Sequence, residues 1–361
     1  MVHSFSFPGL GLDFTIDRVA FTLFGHNIYW YGVIIAAGFL LAVVYACRIA
    51  PRFGVDPDSL IDMLFFAVPL SIIGARIYYV IFELPRFQNA DGSLNWGNVI
   101  AIWDGGIAVY GSIIAAVLTV IVFCKVRKLS AWAMMDVGCY GLLIGQAVGR
   151  WGNFVNMEAF GSVTDAPWRM SGQAIADWLV KYGPVTETSV YDAVVDGSLG
   201  VHPTFFYESA WNVLGFLLLV LLAKKWRKCD GQMFLSYVAW YGVGRFFIEG
   251  LRTDSLYFFS TGIRVSQMLA LVSAGAAVGI LVYRVKCKGP ATPPLEAKPA
   301  EAKPTVPAKP AAPTAAKPGV KPAAPTAAKT PPKPVAKPAA PKTPQKPAAQ
   351  NSGKNKKKGK K

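Results

Sequence analysis

Seven stretches of this chain are apolar for long enough to cross a bilayer, and no other feature of the sequence limits the fold so severely. Crossing about 30 Å of hydrocarbon as a helix takes about 20 apolar residues. Runs of that order lie near 29–49, 60–82, 100–124, 131–149, 206–223, 232–249 and 266–285. In hydrocarbon each backbone N–H and C=O needs a partner inside its own segment, which selects helices. The expectation is an all-α polytopic membrane protein with about seven transmembrane helices. Charged residues make up only 16% of the chain, well below the roughly 25% of a soluble domain.

The formal charge of +16 suggests nucleic acid until it is located. Residues 289–361 hold sixteen lysines against Glu296 and Glu301, a net of +14, which leaves about +2 for the first 288 residues. A basic body that grips phosphate backbones is excluded on that count, and no nucleic-acid partner is required. The tail repeats Lys, Pro and Ala without enough apolar residues for a core, so a disordered segment of polyproline character is expected. It is read either as a dispensable solvated tail or as an electrostatic contact with anionic headgroups or ribosomal RNA.

Lys and Arg in short loops mark the cytoplasmic side. Arg48 and Arg52, then Lys125, Arg127 and Lys128, then Lys224, Lys225, Arg227 and Lys228, then Arg284, Lys286 and Lys288 fall on one face. The N-terminus is therefore expected outside and the C-terminus in the cytoplasm, with insertion through the spans themselves, because no secretory signal pattern opens the chain. Three parts follow: an outer arm at 1–28, a seven-helix transmembrane domain at 29–288 and a cytoplasmic tail at 289–361. The alternation Phe14, Ile16, Val19, Phe21, Leu23 in the arm suggests short strands or an interfacial segment. The polar stretch 150–205, with Trp168, Trp178, Tyr182 and Tyr191, suggests a small outer head.

Ionisable residues inside spans are costly and need a reason. On this topology Arg76, Arg150 and Arg245 all fall in the outer half of the membrane. The simplest common partner for such guanidinium groups is a phosphate, which accepts bidentate bonds. The bland alternative is snorkelling to the interface and pairing with Glu83, Glu158 or Glu249. In the dense segment 149–161, Arg150, Asn153 and Met157 share a helix face with Glu158 nearby. A second stripe, Tyr241, Arg245 and Glu249, recurs at four-residue spacing. Cys47, Cys124, Cys139, Cys229 and Cys287 form no CxxC pattern and have no neighbouring His, so neither zinc nor a disulfide framework is indicated, and no cofactor is called for.

The segment GRWGNFVNMEAFG at 149–161 resembles the signature of bacterial prolipoprotein diacylglyceryl transferases. Other stretches agree in order: YWYG at 29–32, GARIYYV at 74–80, WDGGIAVYG at 103–111, HPTFFYE at 202–208 and YGVGRFFIE at 241–249. The resemblance implies a multi-pass enzyme of the bacterial cytoplasmic membrane. Such an enzyme moves the diacylglyceryl group of phosphatidylglycerol to the lipobox cysteine of a prolipoprotein and releases glycerol phosphate. Arg150 resembles the family arginine that binds phosphatidylglycerol and Arg245 the second essential arginine. Asn153, Glu158 and Gly161 match further signature positions, and Tyr31, Tyr241 and Glu249 match positions near the site. Tyr110 departs from the family pattern, which has a histidine there that is proposed as the base.

The residue types suit that chemistry. Thiol attack on a glyceryl carbon needs a thiolate, and a free thiol with a pKa of about 8.5 is mostly protonated at neutral pH. Tyr110, Glu249, Glu158 or His202 could accept the proton, with arginines assisting. His202, before Pro203, also reads as an interfacial cap. Arginines in a low-dielectric pocket would favour the departing phosphate as it gains charge. A rival reading is a transporter or flippase for an anionic lipid or solute, but the internal repeats expected of one are not found. A third reading is a non-catalytic scaffold.

Overall fold

The computed structural model describes residues 2–89, 91–182, 187–253, 264–287 and 291–295. The disordered tail expected at 289–361 lies outside these residues except for 291–295, which are instead hydrogen-bonded to the body through the Ala291 and Leu295 N–H groups, and residues 254–263 of the 250–265 loop also lie outside. Residues 1–301 form one compact unit.

The alternating arm forms two antiparallel hairpins, β1 (Val2–Phe7) with β2 (Leu12–Asp17) and β3 (Val19–Leu23) with β4 (His26–Tyr29). Among the described residues six helices are long and apolar enough to cross a membrane: α1 (Trp30–Ile49), α2 (Pro57–Phe82), α4 (Val109–Val126), α5 (Ala131–Asn156), α8 (Thr204–Trp226) and α10 (Val265–Cys287). The chain is a multi-pass membrane protein. The seventh expected span does form a helix, α9 (Gln232–Glu249), but it is not among those six. Its Gln, Ser, Tyr, Arg and Glu residues make it less apolar than the others. The third run starts later than expected. Residues 96–104 form α3 (Trp96–Ile100) and a single tight turn, and α4 begins only at Val109.

Outward faces of α2 and α4 carry Phe65, Ile73, Ile77, Ile114 and Leu118, each more than half exposed. Exposed apolar belts of this kind suit lipid rather than water. Helix α5 sits at the centre, packed on α1, α8 and α9, while α2 pairs with α4 and α9 with α10. Its inward residues Met134, Val137, Cys139, Tyr140 and Leu143 are fully buried, and the Tyr140 hydroxyl donates to the Leu219 carbonyl at 3.0 Å. Asp136, buried in α5, accepts from the backbone N–H of Gly231 at 2.8 Å and of Phe234 at 2.9 Å. These are otherwise orphan donors at the start of α9, so α5 fixes where α9 begins.

The stretch between α5 and α8 forms a small head with its own core of Phe160, Met170, Ile175, Leu179, Val194 and Val201. It contains α6 (Gln173–Tyr182), α7 (Thr188–Val195) and the short strands β5 (Val163–Thr164) and β6 (Gly200–Val201). The arm joins it: Ser6 and Ser171 exchange backbone hydrogen bonds of 2.8 and 2.9 Å, and Phe5 lies in the same core.

Candidate functional site

The signature segment ends α5 with an unusual backbone. Met157 and Ala159 adopt φ of 54° and 61°, a left-handed conformation that costs a non-glycine residue about 1–2 kcal/mol. Non-glycine residues held this way cluster at functional sites. The effect here is to fold Glu158 back onto the last turn of α5, where its Oε1 accepts from Asn153 Nδ2 at 2.9 Å and Asn156 Nδ2 at 3.4 Å. Asn153 Oδ1 in turn accepts from Arg150 at 3.4 Å.

Arg150 and Arg245 converge. One oxygen of the Glu208 carboxylate pairs with Arg150, and the other with Arg245 at 3.1 Å and Arg252 at 3.4 Å. Arg245 also reaches Glu249 at 2.6 Å. The Glu208 and Glu249 side chains are 5% and 4% exposed, against 21%, 21% and 12% for Arg150, Arg245 and Arg252. Among the described residues three guanidinium groups thus face two carboxylates, an excess of one positive charge in a largely dehydrated cluster. Such an arrangement attracts an anion more strongly than the same charge in water.

Two devices hold the cluster. Gly161 donates its N–H to the His202 carbonyl at 3.0 Å and pairs in strand fashion with Arg252, while Ser162 donates to the Leu251 carbonyl at 2.6 Å. This bridge carries Arg252 to the motif. A Cβ on Gly161 would lie 2.6 Å from that of His202, so only glycine permits the approach. Second, α8 and α9 are clasped by Trp211 and Trp240, stacked at 4.2 Å. Each indole N–H donates to the other's carbonyl at 3.0 Å. The clasp lies within one turn of Glu208 and about one turn of Arg245, and so sets their separation.

The cluster borders a cavity of about 1010 Å³ lined by Arg18, Val19, Asn27, Tyr29, Asn153, Asn156, Met157, Glu158, Ala159, Trp178 and Arg252. Arg18 donates to the Asn156 carbonyl on its wall. The Tyr31 ring lies over Gly152, 2.8 Å from where a Cβ would stand, and lines an adjoining cleft of about 460 Å³ with Tyr29 and Asn156.

The family model for prolipoprotein diacylglyceryl transferase matches residues 18–283. This chain belongs to that family. The phosphatidylglycerol–prolipoprotein diacylglyceryl transferase of Oceanobacillus iheyensis is 44% identical over 272 residues, covering 75% of this chain and 89% of the relative. Those of Listeria welshimeri and Lactiplantibacillus plantarum are each 43% identical, over 74% of this chain and 90% and 89% of the relatives. Every element that contributes to the arginine cluster of this transferase lies inside the matched stretch.

Not all the residues expected at the site meet there. Tyr241 stacks on Tyr237 at 5.9 Å, one turn before Arg245 on α9. His202 joins through its backbone, while its Nδ1 faces the Tyr207 hydroxyl at 3.2 Å, and burial lowers its pKa. Tyr110 is 41% exposed beside Tyr78, with ring centroids 6.5 Å apart, and does not line either cleft. Arg76 requires a correction. Its donors go to the carbonyls of Val99, Gly105, Gly106, Asn98 and Ala101 at 2.6–3.1 Å. It clamps the loop before α4 and has no donor left for a phosphate. Those carbonyls face a guanidinium instead of a helical N–H, which is why the third run does not become helix until Val109.

Glu208, Arg252 and Arg18 were not among the expected site residues. Glu208 could have been found, as an acid one turn inside an apolar run. Arg18 and Arg252 lie in polar surroundings that give no such signal.

Proposed function

We propose that this transferase moves the diacylglyceryl group of phosphatidylglycerol to the lipobox cysteine thiol of a prolipoprotein, forming a thioether and releasing glycerol phosphate. The observation that carries the reading is the Glu208 carboxylate shared by Arg150 and Arg245. It supports a common site for the two guanidinium groups beside a cavity large enough for a lipid head. Arg150 and Arg245 bind the phosphate, with Asn153 orienting Arg150, Tyr241 flanking Arg245 and Glu249 holding it. Gly161 lets the motif close, Tyr31 borders the entrance and His202 anchors the loop behind it. Sulfur attacks the glyceryl carbon and the carbon–oxygen bond to phosphate breaks. The leaving phosphate takes that electron pair and is stabilised by guanidinium groups already in position. The thiol proton passes to Glu158 on the cavity wall rather than to Tyr110, which lies beside Tyr78.

The proposed setting is the bacterial cytoplasmic membrane, with α9 as a seventh crossing, the arm at 1–28 outside, the catalytic domain at 29–288 and the tail at 289–361 in the cytoplasm. Support comes from the basic residues at one set of helix ends. Arg127 pairs with Asp62 at 2.9 Å and Arg227 donates to the Arg52 carbonyl at 3.2 Å across neighbouring helices. That end matches the side on which Lys and Arg are retained during insertion. The test is thioether formation on a lipobox peptide with phosphatidylglycerol, using Arg150→Gln and Arg245→Gln. Each is expected to lose at least about 100-fold in rate, as for removal of a preorganised donor to a developing anion. Undiminished transfer by both variants overturns the reading.

A further inference from the structure

At the opposite ends of the helices, the chain beyond α10 turns back across the protein. Ala291 N–H donates to the Lys228 carbonyl at 3.1 Å and Leu295 N–H to the Pro51 carbonyl at 2.8 Å. Thr292 donates its N–H to Asp230 at 2.9 Å and its hydroxyl to the same carboxylate, which also accepts from Ser130 and pairs with Arg227 at 2.9 Å. Burial acts to raise the Asp230 pKa, but the bonds from Thr292 and Ser130 and the Arg227 charge outweigh it and hold the carboxyl below its usual range. The strap fits because position 54 is glycine. A Cβ there would come within 2.5 Å of Thr292 Cγ2 and 2.6 Å of the Pro293 carbonyl oxygen.

The strap walls a pocket of about 360 Å³ between α1 and α8, floored by Tyr45 and Tyr140 and carrying Arg52, Lys224 and Arg227, with no carboxylate among the described lining residues. Arg227 is committed to Asp230 and stacks 4.6 Å over Phe53. Arg52 and Lys224 have no ion pair among the described residues, and both are exposed. Toward the membrane interior the flanks turn apolar, with Leu41 on α1, one turn beyond Tyr45, and Leu221 on α8, one turn before Lys224, exposed by 56% and 55%. Two uncommitted cations at the mouth, aromatic walls and a greasy flank match the amphiphilic profile of one ligand class.

We infer that this pocket binds the headgroup of an anionic phospholipid of the inner leaflet, with its phosphate between Arg52 and Lys224 and its chains along α1 and α8. The phosphate supplies the anion the lining lacks, and basic pockets between helices on the cytoplasmic side hold such headgroups. The site is separate from the transfer chemistry, since none of its residues belongs to the arginine cluster.

The experiment is native mass spectrometry of the full chain in detergent, titrated with phosphatidylserine or with zwitterionic phosphatidylcholine. Wild type and Arg52→Lys are expected to retain one phosphatidylserine more than the double variant Arg52→Gln/Lys224→Gln. Affinity in the double variant should fall at least about tenfold, as for loss of a charge-assisted hydrogen bond. Millimolar inorganic phosphate is expected to leave the lipid bound. Equal retention by wild type and the double variant, equal retention of phosphatidylcholine, or displacement by inorganic phosphate overturns the proposal. The charge-preserving Arg52→Lys separates loss of the site from loss of fold.

Discussion

Replacing Glu208 with Gln tests the cluster at its pivot. The substitution preserves shape and removes one negative charge from a side chain that is 5% exposed. At an effective dielectric constant of about 20, two unit charges about 4 Å apart interact by about 4 kcal/mol. Glu208 offsets the mutual repulsion of three guanidinium groups, two of them at 3.1 and 3.4 Å from one oxygen. Breaking a buried pair from one side costs about 3–5 kcal/mol because the partner charges are left uncompensated. Arg245 keeps Glu249, so the lower figure of about 3 kcal/mol is expected for stability. Arg150 loses the carboxylate it pairs with, and Arg252 loses its contact with the shared oxygen. A guanidinium displaced by about 1 Å costs about 100-fold in rate, and that loss is expected in kcat/KM for transfer to a lipobox peptide. Because the variant leaves the arginines under-neutralised, added phosphatidylglycerol should raise its melting temperature more than it raises that of wild type. The exposed pair Arg86 and Glu83, at 3.0 Å and with side chains 68% and 43% exposed, is the control. Glu83→Gln should leave both stability and transfer within experimental error. If Glu208→Gln behaves like that control, the carboxylate does not organise the arginines and the reasoning fails.

Arg76→Gln should lower thermal stability by about 3 kcal/mol, through buried carbonyls left unpaired, while KM for phosphatidylglycerol changes less than threefold. A KM rise of tenfold or more would restore Arg76 as a headgroup ligand. Gly161→Ala, forced against His202, should cut transfer at least about tenfold by shifting Arg252. Wild-type transfer by this variant would show that the bridge tolerates a Cβ. For His202, burial lowers the folded pKa below that of the unfolded chain. The unfolded state therefore binds more protons, and folded stability should fall as pH drops through about 6.5. Thermal unfolding of His202→Gln between pH 7 and 5 should show a shallower decline than wild type, and identical slopes would refute the assignment.

The helices were legible because length and apolarity are properties of single segments. The arm's strands were legible for the same reason, since alternation with a period of two is local. Arg150, Arg245 and Glu249 could be read from the cost of charge in a span, and the four-residue spacing of Arg245 and Glu249 becomes a contact of 2.6 Å. What failed was partner assignment for the other two arginines. Sequence offered Glu83, Glu158 or Glu249 for the arginines, whereas Arg150 pairs with Glu208, fifty-eight positions away on another helix. Arg76 was correctly read as needing a reason, but its partners are backbone carbonyls, which no side-chain pattern records. Arg252 reaches the cluster only because Gly161 accepts a strand contact, and close approach of this kind depends on tertiary geometry.

On the proposed reading, the charge count explains why Glu208 belongs in a site meant for an anion. Three arginines alone would repel one another in a dehydrated pocket and bind any anion indiscriminately. With Glu208 and Glu249, and with Arg18 offset by Glu158 on the cavity wall, the excess among the described residues is one positive charge, the complement of the single negative charge of a phosphodiester. When the glyceryl–oxygen bond breaks, the departing phosphate monoester moves toward a second negative charge. Glu158 lies two hydrogen bonds from Arg150 through Asn153, and by accepting the thiol proton it removes one negative charge as the phosphate gains one. The pocket thus stays near neutrality from bound lipid to product, and the arginines need not move. The stacked tryptophans fix α8 against α9, so that preorganisation is built into the helices before either substrate arrives.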